Sequence, residues 1–129
     1  MTIKKLIVVM AIICLQTLDA WAAGPKISFG VQTKDLGQVT HGQKITVQFP
    51  FTNIGSTTLF IKEIHADCGC TEVFNESQEL TPQGRSEIVA ILDTAGLPPG
   101  RIERHIHVQS NDSERPNITL TLLAEIVRE

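Results

Sequence analysis

An all-β antiparallel sandwich is the fold class that this 129-residue chain predicts, and two observations carry that prediction. After residue 23, apolar residues recur at every second position through most of the chain, and no long stretch repeats at helical spacing. Turn-forming residues then divide the alternating runs, at Asn53 to Ser56, Thr81 to Gly84, Gly96 to Gly100 and Asn111 to Pro116.

The runs follow in order. Ile45, Val47, Phe49 and Phe51 alternate with Thr46, Gln48, Pro50 and Thr52, giving one apolar and one largely polar face. Pro50 has no N–H to give to a ladder, so an edge or a bulge is predicted there. Leu59 and Ile61, then Ile64 and Ala66, form a second run whose phase slips near Lys62 and Glu63, the mark of a bulge. Ile88, Ala90 and Leu92 make the third. In the fourth, Ile102, Ile106 and Val108 oppose Arg101, Glu103, His105, His107 and Gln109, with Arg104 out of phase. Ile118, Leu120, Leu122, Ala124 and Ile126 share one face of the last strand, opposite Thr119 and Thr121. About seven strands in roughly 100 residues is the immunoglobulin-like signature.

Ahead of this domain, Lys4 and Lys5 precede an apolar run from Leu6 to Leu15, and Ala20-Trp21-Ala22 supplies small residues at both positions a signal peptidase reads. The expected organisation is a signal peptide over 1–22, cut after Ala22 or Ala23, and a single domain over 23–129. The apolar run is shorter than the roughly 20 residues a membrane anchor needs, and Gln16 and Asp19 interrupt it. Lipidation at Cys14 is disfavoured by the bulky Ile13 before it. The protein is expected to be periplasmic or extracellular, without a stable membrane anchor.

Composition narrows the function classes. The net charge is −3 and becomes one unit more negative when Lys4, Lys5 and Asp19 leave with the signal peptide. Without a Lys/Arg cluster, nucleic acid and anionic lipid are poor candidates as main partners. Aromatic residues make up 5% of the chain and tyrosine is absent, which argues against a sugar-stacking platform. There is no Gly-x-Ser-x-Gly, no phosphate-binding glycine loop and no carboxylate pair tied to a cleft, so an enzyme is not expected.

Cys68 and Cys70 are the only cysteines after Cys14, and three readings of the pair stand open. A disulfide between them closes so small a loop that chain entropy contributes at most about 1.6 kcal/mol. In an extended segment their Cα atoms stand about 6.6 Å apart, near the upper limit for a bridge. Closure therefore needs a turn, for which Gly69 is the enabling residue, since it alone of the three reaches positive φ without steric cost. A redox-active dithiol is the second reading, weakened by His65, whose odd spacing turns it to the opposite face, and by Asp67, whose charge opposes thiolate formation. The third is a copper or zinc site combining Cys68 and Cys70 with His105 and His107, which share a strand face. His41, beside Gly42, reads as a solvated turn residue.

The segments Phe49-Pro50-Phe51-Thr52-Asn53-Ile54-Gly55, Asp67-Cys68-Gly69-Cys70-Thr71, Asp93-Thr94-Ala95-Gly96 and Gln109-Ser110-Asn111-Asp112, with an Ile-Ser-Phe-Gly start at Ile27, resemble a family of exported bacterial immunoglobulin-like domains, domain of unknown function 1573. The resemblance covers nearly all of the chain after the signal segment, and Cys-Gly-Cys-Thr is its most specific element. It implies the sandwich fold, a bacterial source and an extracytoplasmic location, and no established activity. A more distant similarity of plan links it to Hydin-type and major sperm protein domains, which are binding or scaffolding modules.

The expected function is accordingly a non-enzymatic interaction or scaffolding module without a cofactor, whose partner is another exported or envelope protein. Its contacts are expected through an edge strand or through the Gly96–Gly100 loop with Leu97. The alternative is a copper- or zinc-handling or thiol-redox module centred on Cys68 and Cys70.

Overall fold

The computed structural model describes residues 24–128, which form nine strands and no helix. The expected signal segment, Cys14 and the cleavage positions lie outside the described residues. The strands are β1 (Ile27–Phe29), β2 (Thr33–Thr40), β3 (Lys44–Asn53), β4 (Leu59–Ala66), β5 (Thr71–Asn75), β6 (Glu79–Leu80), β7 (Arg85–Asp93), β8 (Gly100–Ser110) and β9 (Asn117–Val127). They build two sheets, one ordered β1-β3-β7-β5 and the other β2-β9-β8-β4-β6. Every pairing is antiparallel except β2 with β9, which run parallel.

The alternating residues read from the sequence meet between the sheets. Val47, Phe49, Phe51, Ile88 and Ala90 of the first sheet pack against Leu59, Ile61, Ile106, Val108, Leu120 and Leu122 of the second. Burial of each large side chain here contributes about 1.5–3 kcal/mol. At one end of the sandwich a second cluster joins Val39, Leu92, Leu97, Ile102, Ala124 and Ile126. Leu97 is 7% exposed, so the expectation that its loop presents it to a partner is corrected: the side chain closes this end of the core.

Two irregularities read from the sequence have clear physical roles. β1 pairs with β3 only through residues 51–53, and beyond that point β3 has a free margin. The ladder with β7 alternates from Asn53, whose N–H donates to Gly84 O at 2.9 Å, so the backbone of Pro50 turns to that margin, where no donor is missed. The phase slip in β4 is a register shift between Ile61 and Glu63. It turns Leu59 and Ile61 inward but Glu63 and His65 outward, since Ile64 takes over the inward position.

The motif residues outside the cysteines serve the backbone. Asn53 is fully buried; its amide donates to Thr57 O at 2.8 Å and Leu80 O at 2.9 Å, and its Oδ1 accepts the Gly55 N–H at 2.9 Å. Thr94, also fully buried, donates to Gln43 O at 2.7 Å. Asn111 Oδ1 accepts the Phe60 N–H at 2.7 Å. Asp112 accepts N–H groups of Ile27 and Glu114, each at 2.7 Å, and of Arg115 at 2.8 Å. These polar side chains satisfy loop backbone groups that have no ladder partner.

Candidate functional site

The chain leaves β4 through Asp67 and makes a tight turn before β5. The Thr71 N–H donates to Cys68 O at 3.2 Å and closes the turn. Cys68 and Cys70 are joined by a disulfide, with Cα atoms 5.2 Å apart. The Cys70 N–H donates to Cys68 Sγ at 3.1 Å, and Cys70 O accepts the Asp93 N–H at 2.8 Å. Cys70 rests partly buried against the second core cluster. A shallow depression of about 430 Å³ lies over the turn, lined by Cys68, Gly69, Cys70, Asp93, Gly96 and Leu97.

Gly69 does not act as expected. It is not among the positive-φ residues, and a Cβ built on it meets nothing within 4 Å. The turn needs neither its left-handed freedom nor its lack of a side chain, because Cys68 and Cys70 approach through ordinary backbone conformations.

The outer face of the second sheet carries the imidazoles. β4 and β8 set Glu63 opposite Gln109 and His65 opposite His107, and the Asp67 N–H to His105 O bond of 3.1 Å extends this register. His105 is gripped from both sides: its Nδ1 lies 3.0 Å from Asp67 Oδ2 and its Nε2 lies 3.3 Å from Glu103 Oε1. The Asp67 contact, then that of Glu103, raises its pKa above the usual value. For Asp67, burial pushes the carboxyl up, but the backbone N–H and imidazole of His105 outweigh this and the net shift is downward.

His65 and His107 form a separate pair, with ring centroids 4.9 Å apart and planes tilted by 30°. His107 Nδ1 lies 3.4 Å from Thr119 Oγ1, and His65 Nδ1 lies 3.8 Å from Glu63 Oε1. The odd spacing of His65 from Cys68 separates it from the cysteine pair in the sequence. The signal that finds it is the phase slip at residues 62–63, which aligns His65 with the outward face of β8.

The four-residue metal set of Cys68, Cys70, His105 and His107 is not assembled. Among the described residues no group of three or more His, Cys, Asp or Glu is placed to hold a metal ion. The two sulfurs are spent on each other, and both nitrogens of His105 are occupied by carboxylates.

A third feature is the free margin of β5. The Asp93 N–H to Cys70 O bond sets the alternation of the β5–β7 ladder, so the backbone groups of Val73 and Asn75 point away from β7. Phe74 is 46% exposed on the outer face, beside Val89, its partner across the ladder.

Two facing sheets of strands place the chain in the class of immunoglobulin-like β-sandwiches. Within that class it belongs to the family described as protein of unknown function (DUF1573), which matches residues 27–126. No curated protein sequence matches it. A solved structure of a protein of unknown function from Porphyromonas gingivalis W83 superposes with a TM-score of 0.71 at 18% identity, covering 81% of this chain and 48% of that one, so the chain spans about half of its length. PapD-like domain 7 of human CEP192 gives 0.65 at 10% identity, over 81% of this chain and 87% of that one. The CupB2 chaperone of Pseudomonas aeruginosa gives 0.57 at 12% identity, over 77% and 55% respectively. These likenesses are of fold.

Proposed function

We propose that this chain is an exported, non-enzymatic interaction module that receives a strand of another envelope protein along β5, and that Cys-Gly-Cys-Thr marks the family because it starts that strand. The observation that carries this reading is the contrast among the sheet margins: the part of β3 left free beyond β1 turns Pro50, which has no N–H to give, toward any incoming strand. β1 and β6 have three and two residues, too few for an added strand to follow. β2 is broken by a register shift between Asp35 and Gln38, with Gly37 at φ 67°, a usual protection of an edge. β5 has five residues, a regular register and an exposed phenylalanine, and strand addition uses these features. The fold shared with the CupB2 chaperone supports the same reading, and Ala20-Trp21-Ala22 supports export.

The test is photocrosslinking in the source cells. A benzophenone side chain at Asn75 is expected to capture a defined envelope protein, whereas one at Gln109, exposed on β8 between its paired neighbours β4 and β9, is expected to capture none. Equal capture from both positions, or none from Asn75, overturns the reading.

A second reading, thiol–disulfide exchange, is favoured by the N–H bond to Cys68 Sγ. A partner thiolate attacks Cys70 Sγ, the S–S bond breaks, and the electron pair leaves on Cys68 Sγ, where the Cys70 N–H stabilises it. The partner's second thiol, deprotonated, then displaces Cys70 from the mixed disulfide. The partner dithiol is thereby oxidised, and this chain takes up two electrons and two protons. Mixed with a partner protein in its disulfide form, Cys68→Ser is expected to accumulate the mixed disulfide through Cys70, whose thiolate displaces one partner sulfur as a thiolate and finds no Cys68 to complete the exchange; an unmodified Cys70 thiol at equilibrium counts against the exchange.

A further inference from the structure

We propose that His65 and His107 form a two-imidazole binding site for copper(II) on the outer face of the second sheet. The site is distinct from the cysteine turn and from the β5 margin, and its reasoning is independent of the interaction reading.

The two histidines are directly opposite in the β4–β8 register, where Cβ atoms stand about 4.5–5.5 Å apart. Their ring centroids are 4.9 Å apart. Metal–nitrogen bonds of about 2.0–2.1 Å let two nitrogens on one ion stand up to about 4 Å apart, a separation that side-chain rotation of exposed rings reaches from this spacing. Among the described contacts neither Nε2 is engaged: His107 Nδ1 meets Thr119 Oγ1 at 3.4 Å, and the Glu63 carboxylate stands 3.8 Å from His65 Nδ1, beyond hydrogen-bond distance. The tautomer with its proton on Nδ1, which in His107 can donate to Thr119 Oγ1, leaves Nε2 as a lone-pair donor to the metal. His105 lacks that freedom, because Asp67 and Glu103 occupy both of its nitrogens.

A cavity of about 300 Å³ adjoins the pair, lined by Glu63, Gln109, Asn117 and Thr119 as well as both histidines. It leaves room for water at the open coordination positions. Two imidazoles with oxygen ligands suit copper(II), which stands above zinc in affinity at nitrogen sites.

The test is calorimetric titration of the untagged protein with copper(II) chloride, paired with electron paramagnetic resonance. The expected result is one equivalent bound, with hyperfine structure from two nitrogen ligands. His65→Ala and His107→Ala are each expected to weaken binding at least about tenfold, and Thr119→Val, which removes the contact at His107 Nδ1, to weaken it less than either. His105→Ala and His41→Ala are expected to bind as the parent does. All substituted histidines lie outside the core, and circular dichroism confirms the fold of each variant. Absence of copper binding, or full affinity in both His65→Ala and His107→Ala, overturns the proposal. Equal loss in His105→Ala and His107→Ala overturns the assignment of the pair.

Discussion

Gly55 and Gly69 each sit in a tight turn, yet they answer to different constraints. A Cβ on Gly55 would collide with Gly24 O and lie 2.6 Å from Lys26 N, because the Gly55 loop is pressed against the start of the domain. There the Ile54 N–H donates to Lys26 O at 2.8 Å and the Ser56 N–H to Gly24 O at 2.9 Å. The obstacle is backbone, which cannot swing aside, so Gly55→Ala is expected to cost about 2–3 kcal/mol through overpacking. Gly69 faces open space, and Gly69→Ala is expected to change stability by no more than about 0.5 kcal/mol, with the disulfide still formed. Urea unfolding of the two variants separates these outcomes; similar losses in both would contradict the difference in constraint. The Asn53-Ile54-Gly55 motif was visible in the sequence, but the reason for its glycine was not, since the backbone it accommodates lies about 30 residues earlier in the chain.

At the scale of the element, β1 is too short to hold itself and depends on the loop after β8. Asp112 is 5% exposed, and the carboxylate links the Ile27 N–H to those of Glu114 and Arg115. Burial raises its pKa, but the three N–H donors, with the Lys26 charge, outweigh burial and bring it below the usual 3.8. The sign follows for a depressed carboxyl: its contribution is complete above the unfolded-state value and is lost as pH falls through the lower folded value. Asp112→Asn is therefore expected to cost about 1–3 kcal/mol at pH about 7, with the gap to the parent narrowing below pH about 3.8 as the parent's own carboxylate is protonated. Urea unfolding at neutral and acid pH measures that gap; a gap independent of pH would assign the loss to shape and not to charge. Asn111-Asp112 was legible as turn chemistry, whereas its bond to a residue 85 positions away was not, because only the folded sandwich brings β1 beside that loop.

For the whole molecule, the strands that the sequence displays are those whose two faces differ. β3, β7, β8 and β9 alternate because one side meets the core, and their inward residues are those the periodicity predicts. β2 escapes this logic, since its burial is irregular around the bulge, and β5 and β6 are too short for a period to register. The parallel β2–β9 pair is equally hidden, as chain direction leaves no mark on alternation. The metal set failed for a related reason: a shared face places His105 and His107 together but does not reveal that Asp67 and Glu103 hold one of them. The opposed sheets, and not the Cys68–Cys70 bridge, should then carry the stability. Phe49 is fully buried at the centre of the main cluster, and Phe49→Ala is expected to cost about 3–5 kcal/mol. The double substitution Cys68→Ala with Cys70→Ala removes a loop of sequence separation 2, worth at most about 1.6 kcal/mol by chain entropy. Thermal and urea unfolding of both variants are expected to rank them in that order, and a disulfide-free variant as unstable as Phe49→Ala would make the bridge a staple of the fold, leaving its role outside stability without support.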